Sequence, residues 1–175
     1  MSSDNNIEDL VGYVFVIDAL NFCFWPSEWE YEHLAVALKE AHKENPQIFT
    51  PEYLSTISAT EVKNKFFKGI DFPLFDERVR AVNEIGRKTI DHFEGKFLNI
   101  LEKGEFDASK VLELIASTFL MFQDHAVYEG RQIFFYKRAQ ILVGDLFGVF
   151  SAKKDCDLEL KNMDKITCFA DYRIP

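Results

Sequence analysis

The sequence predicts a mainly α-helical fold. Three observations predict it. Helix-start signals recur along the 175 residues, apolar residues fall three and four apart rather than two, and Asn-Pro or Gly closes several of the periodic stretches.

The elements follow in order. Val11 to Leu20 is the longest apolar run; it is too short to cross a bilayer and carries Asp18. Ser27 and Glu30 read as a capping box that opens a helix running to about Glu44, with Leu34, Leu38 and Ala41 on one face. Asn45-Pro46 stops it. Thr50-Pro51 supplies an N-cap and a first-turn proline. Ser58 and Glu61 form a second capping box before Val62 and Phe66. A longer helix is predicted from about Leu74 to Phe93, its stripe made by Val79, Val82, Ile85, Ile90 and Phe93. Gly95 interrupts, and Gly104 ends the next segment. Asp107 then caps a helix that turns Val111, Leu114, Ile115 and Thr118 inward. A turn falls at Glu129-Gly130. Phe134 to Val149 reads as a buried helix, although its Ile-Phe-Phe-Tyr opening also fits a strand. Ser151 to Lys165 is the most polar stretch and reads as a surface loop. With no internal repeat and no linker, one helical domain over residues 1–175 is expected.

Composition narrows the function. The net charge of −9 repels nucleic-acid phosphates, so a long tract of DNA or RNA is not an expected partner. One small nucleotide is allowed, because a local Lys/Arg pair can hold one phosphate. Three cysteines (Cys23, Cys156 and Cys168) are odd in number and form no C-x-x-C pair, which points to reduced thiols in the cytoplasm. The four histidines have no ligand spacing, so no metal is expected. The polar N-terminus lacks the basic residues of a signal peptide, and no membrane is implied. G-x-S-x-G, P-loop and G-x-G-x-x-G motifs do not occur.

Four segments do not read as plain amphipathic helix. In Val14 to Trp25, Asp18 and Asn21 sit three apart inside an apolar, aromatic run. Either Asp18 is satisfied internally and fixes the end of the run, or the segment lies against a flat ligand. In Phe134 to Asp145, Lys137, Arg138 and Gln140 interrupt an apolar helix, and Asp145 falls two turns after Arg138. This is either a buried ion pair or a phosphate or ribose site oriented by Asp145. Phe169-Ala-Asp171-Tyr172-Arg173-Ile-Pro175 is either a pocket wall or a surface turn. Tyr128, Gly130 and Arg131 read as turn chemistry.

Taken together, Asp18-Ala-Leu-Asn-Phe-Cys-Phe-Trp25, Phe135-Tyr-Lys-Arg-Ala-Gln-Ile-Leu142 and Phe169-Ala-Asp-Tyr-Arg-Ile-Pro175 closely resemble the queuosine salvage protein family, with Pro26 to Leu38 and Glu77-Arg78-Val79-Arg80 also similar. The resemblance covers nearly the whole chain. It implies a helical domain resembling helix-hairpin-helix DNA glycosylases. It implies hydrolysis of the N-glycosidic bond of queuosine 5′-phosphate, with queuine released for return to tRNA and no cofactor. Cleaving that bond passes through an oxocarbenium-like sugar, and a carboxylate near the anomeric carbon stabilises it. Asp171 matches the family's catalytic aspartate and Phe169 a position that contacts the base. Tyr172 and Arg173 become supports of Asp171, Asp145 an orienting or substrate-contacting group, and Lys137 and Arg138 phosphate-binding or structural cations. Family chains are about twice this length, continuing before the Asp18 motif and after Asp-Tyr-Arg, so this chain is expected to be a partial copy of a longer domain. The alternatives are a catalytically incomplete module that binds a nucleotide or queuine, and a purely structural helical protein.

Overall fold

A computed structural model describes residues 3–153 and 156–171. Helices dominate, with one two-stranded sheet among the described residues. The mainly helical reading therefore holds. Tyr172 and Arg173 lie outside the described residues. The chain divides into two compact units, Met1–Phe97 and Leu98–Pro175.

The first unit is built on α1 (Ser3–Leu20). Val11, Val14, Phe15, Val16, Ile17, Ala19 and Leu20 are all buried, so the last turns of this helix are buried on every side. Phe15 stacks on Phe97 with ring centres 4.7 Å apart. Asp18 is fully buried in the same turns. The segment after α1 leads to α2 (Tyr31–Glu44), which buries Leu34, Leu38 and Ala41 as expected. Its capping differs from the expectation. Ser27 spends its hydroxyl on the Trp29 amide at 3.0 Å, within its own turn. Glu30 becomes the N-cap, and its amide donates to His33 Nδ1 at 3.0 Å.

Thr50 caps α3 (Pro51–Thr56). Ser58 and Glu61 form their capping box at α4 (Ala59–Glu61), which runs directly into a π-helical turn, Val62–Phe66. Hydrogen bonds from Ser58, and another from Tyr53, hold the Glu61 carboxyl below its usual range. The long helix α5 (Phe75–Phe93) follows. Val82, Ile85 and Phe93 are buried as expected, but Ile90 is 38% exposed. The buried stripe is instead completed by Arg78, Gly86 and Thr89.

Two of those residues explain the difference. Gly86 lies where α3 crosses α5: a Cβ there would stand 2.3 Å from the Ser55 amide nitrogen and 2.7 Å from the Pro51 carbonyl oxygen. Only a residue without a side chain lets the two backbones approach this closely. Arg78 is fully buried. Its Nε donates to the Pro73 carbonyl at 2.9 Å, Nη1 to Leu20 at 2.7 Å, and Nη2 to Cys23 at 2.9 Å and to Phe22. The rings of Phe22 and Phe72 face the guanidinium carbon at 4.3 and 4.6 Å. The aromatic run after α1 is thus a socket for Arg78, with cation–π contacts on the ring faces. Trp25, in the same run, is 83% exposed.

The second unit begins with α6 (Leu98–Lys103) and α7 (Ala108–Thr118). Asp107 caps α7, accepting from the Ser109 and Lys110 amides at 3.0 and 3.2 Å. A hydrogen bond from the Asn162 side chain, with those amides, holds the Asp107 carboxyl below its ordinary value. The polar stretch expected as a loop is tied down here. Lys161 exchanges backbone hydrogen bonds with Phe106 and Ala108, and Leu160 is buried.

A hairpin follows: β1 (His125–Tyr128) pairs antiparallel with β2 (Arg131–Phe134). Glu129 and Gly130 form the turn, both with positive φ, as a tight two-residue hairpin requires. The final helix α8 (Lys137–Ala152) starts three residues later than the predicted Phe134, which ends β2. The Asp124 carbonyl accepts the Phe135 and Tyr136 amides, and Tyr136 turns to φ 47°, so the chain cannot enter the helix before Lys137.

Gly86→Ala gains about 1 kcal/mol of helix propensity. The clash with α3 backbone outweighs this, so the variant should unfold at lower urea than wild type. Arg78→Leu strips the donors from four carbonyls and should cost roughly 3–5 kcal/mol by the same urea titration, with Arg78→Lys recovering only a fraction.

Candidate functional site

The residues singled out in the second unit converge on one face of α8. Positions 137, 140 or 141, and 144 of a helix lie roughly in line. Here that face carries Lys137, Gln140 and Gly144. The segment 166–171 has no regular structure and runs as a strap across the face, fastened at three points.

The first fastening is Gln140, 6% exposed. Its Oε1 accepts from the Thr167 amide at 2.9 Å and from the Thr167 hydroxyl at 2.8 Å. Its Nε2 donates to the Phe135 carbonyl at 3.0 Å, so one side chain joins the strap to the residue before α8. The second fastening is Phe169. Its ring tip sits where a Gly144 side chain would be: a Cβ on Gly144 would come 2.9 Å from Cζ. Phe169 nevertheless stays 37% exposed. The third is Asp171, whose Oδ2 accepts from Lys137 Nζ at 2.5 Å; both side chains are 27% exposed. The Asp171 amide donates to the Phe169 carbonyl at 2.6 Å, closing a three-residue turn. Phe169 and Asp171 therefore project from one tight bend.

The two cations that the sequence left open take different tasks. Arg138 is a structural group. Its Nε and Nη2 donate to Asp124 Oδ1 at 3.2 and 3.1 Å, and its amide donates to Oδ2 at 3.0 Å. This locks the base of the hairpin to the first turn of α8. Lys137 faces the strap and meets Asp171. A charge-assisted hydrogen bond of this kind fixes the direction in which the carboxylate points. Asp145 lies half-buried on α8, two turns or roughly 12 Å along the axis from Lys137, and follows Gly144 directly.

The arrangement offers an exposed aromatic ring and a cation-supported carboxylate on one bend. Those are the parts needed to hold a flat base and place an anion at the neighbouring sugar carbon. Sequence reasoning named Phe169, Asp171, Lys137 and Asp145. It missed the strap's anchors, Thr167 and Gly144, and the hairpin anchor Asp124. No spacing rule reveals a pairing that spans 27 residues, as between Thr167 and Gln140. A concavity elsewhere in this unit, about 400 Å³ and lined by Phe147, Phe150, Cys156 and Glu159 among others, holds none of Lys137, Asp145, Phe169 and Asp171. No helix among the described residues is long and apolar enough to cross a membrane.

Comparison with known proteins gives a consistent picture. Residues 1–175 match the family described as queuosine salvage protein. A protein of Dictyostelium discoideum named queuosine 5′-phosphate N-glycosylase/hydrolase is 41% identical over 164 residues, covering 93% of this chain and 50% of that protein. Proteins of the same name from Mus musculus and Sphaerobacter thermophilus are 36% and 35% identical, each covering 96% of this chain and 54% and 55% of their own lengths. The chain spans about half the length of the curated relatives it matches.

Gln140→Leu removes the clamp on Thr167 and leaves its amide and hydroxyl without that acceptor. The expected outcome is a loss of about 1–2 kcal/mol and faster hydrogen exchange confined to the strap and the Phe135 turn. Exchange mass spectrometry over peptides covering residues 133–136 and 166–171 reads it directly.

Proposed function

The chain belongs to the queuosine salvage protein family, and from that premise we propose that it takes part in hydrolysing the N-glycosidic bond of queuosine 5′-phosphate, releasing queuine for return to tRNA. The observation that carries this reading is the bend holding Phe169 and Asp171, with Lys137 on the Asp171 carboxylate. In this reading Phe169 lies against the flat base. Asp171 presents its carboxylate to the anomeric carbon as the glycosidic bond lengthens and positive charge builds on the sugar. The anion either adds to that carbon or orients the water that does so. Lys137 positions the carboxylate and keeps its charge directed into the site. Asp145 is the further group assigned to substrate, as the orienting carboxylate, with Tyr172 and Arg173 assigned to the substrate side as supports of Asp171.

The chemistry asks for no metal or organic cofactor, since a carboxylate and water suffice for glycosidic hydrolysis. The partners are then one small nucleotide and its free base, in a reducing cytoplasmic setting suited to sparse, unpaired thiols. A single negative phosphate in a chain of net charge −9 calls for a local cation, and a long nucleic acid does not fit that charge.

A second reading has one observation in its favour. The curated relatives are about twice as long, so this stretch corresponds to about half of their length. On that reading it binds the nucleotide or queuine without cleaving it.

Asp171→Asn discriminates. The pair it breaks is partly exposed, so stability should change by no more than about 1 kcal/mol. Release of queuine from queuosine 5′-phosphate, followed by mass spectrometry, should fall on the order of 10³-fold or more. A wild-type chain that melts cooperatively and is stabilised by queuine, yet releases none, would favour the binding module. Undiminished release by the Asn variant would remove Asp171 from the chemistry.

A further inference from the structure

We propose that Gly144 is a specificity-determining position: by carrying no side chain it sets the depth at which the Phe169 ring sits, and so the width of the slot left for the base. This inference rests on the reading of Phe169 as the base-contacting residue. It goes further by assigning the fit of the flat ring system to a glycine in the middle of α8.

The geometry makes the case. The Phe169 ring points tip-first at Gly144. A Cβ there would stand 2.9 Å from Cζ, 3.7 Å from Cε1 and 3.9 Å from Cε2. Ordinary contact between two such carbons needs about 3.5–4.0 Å, so an alanine would push the ring outward by roughly half an ångström to one ångström. The ring cannot carry the strap with it. Thr167 is held by Gln140 on one side and Asp171 by Lys137 on the other. The displacement is therefore taken up by the ring itself, which moves away from α8.

The position is otherwise open to a side chain. Gly144 has no positive φ, and the three nearest atoms that a Cβ there would meet all belong to the Phe169 ring. Alanine in the middle of a helix is favoured over glycine by about 1 kcal/mol. A glycine kept only for backbone reasons would find no reason here. The neighbouring Gly148 illustrates the contrast: a Cβ on it meets nothing within 4 Å.

The test measures steady-state release of queuine from queuosine 5′-phosphate by the full chain and by Gly144→Ala, Phe169→Leu and the double variant, with melting curves for each. Gly144→Ala should melt no lower than wild type while its KM rises roughly threefold to tenfold, a fraction of the value of one aromatic stacking contact. Its kcat should change less than its KM. Leucine is shorter than phenylalanine and leaves room for the Cβ, so alanine at 144 should add nothing in the Phe169→Leu background. A wild type that releases queuine, together with a Gly144→Ala variant of unchanged KM, overturns the inference and leaves the proposed function standing. The same holds if alanine raises KM equally with and without the ring. A wild type that releases no queuine overturns the proposed function, and the inference falls with it.

Discussion

One buried guanidinium organises the first unit. Arg78 occupies a core position in a helix stripe that pattern alone would assign to an aliphatic residue, and a charge in that place is costly unless every donor is used. The chain meets the requirement by bending. The end of α1 and the residues after it turn their carbonyls toward Arg78, and Phe22 and Phe72 close over it. The consequences spread outward. At the end of α1 the Leu20 carbonyl accepts from both the Phe22 amide and Arg78 Nη1. α5 must bury its Arg78 side, which brings Gly86 against α3 and sends Ile90 to the surface. Phe22, from the aromatic run after α1, forms one wall of this socket.

The second unit solves a different problem, holding an irregular segment in one place. Strap residues 166–171 have no ladder or helix to define them. Three unlike interactions do so instead: a neutral hydrogen-bond clamp at Gln140, a van der Waals seat at Gly144 and an ion pair at Lys137. Each acts on a different strap residue, so together they fix both position and twist. The hairpin base contributes from the other side. Asp124 ties Arg138 down, which leaves the adjacent Lys137 as the cation facing the strap. Division of labour between two consecutive cations is what separates a scaffold ion pair from a site ion pair here.

Legibility in the sequence follows the range of the interactions. Capping by Thr50, Ser58 and Asp107 was readable because the partners lie within three residues. The Glu129-Gly130 turn was readable because its dihedral demands are local. Ser27 misled because its hydroxyl had a nearer amide at Trp29 than any helix could offer. Phe134 misled because strand and helix patterns coincide over a short apolar run. The stripe of α5 was misread at Arg78 because burial of a cation depends on carbonyls far away in sequence. Of the site, Lys137 was visible as a cation interrupting an apolar helix, whereas Asp171 and Phe169 were assigned roles only through the family resemblance. Their meeting was not visible, since Lys137 and Asp171 stand 34 positions apart with nothing between them to set the register.

The Arg78 socket also bears on how the chain is born. Its guanidinium follows the Leu20 carbonyl it satisfies by 58 residues. During synthesis α1, mostly apolar over its last turns, leaves the ribosome several seconds before that arginine does, at about 5–20 residues per second. Throughout that interval its carbonyls at the turn and its aliphatic surface face solvent or the tunnel wall. The socket cannot close until Arg78 has emerged, so the end of α1 waits for a partner that the chain supplies 58 residues later.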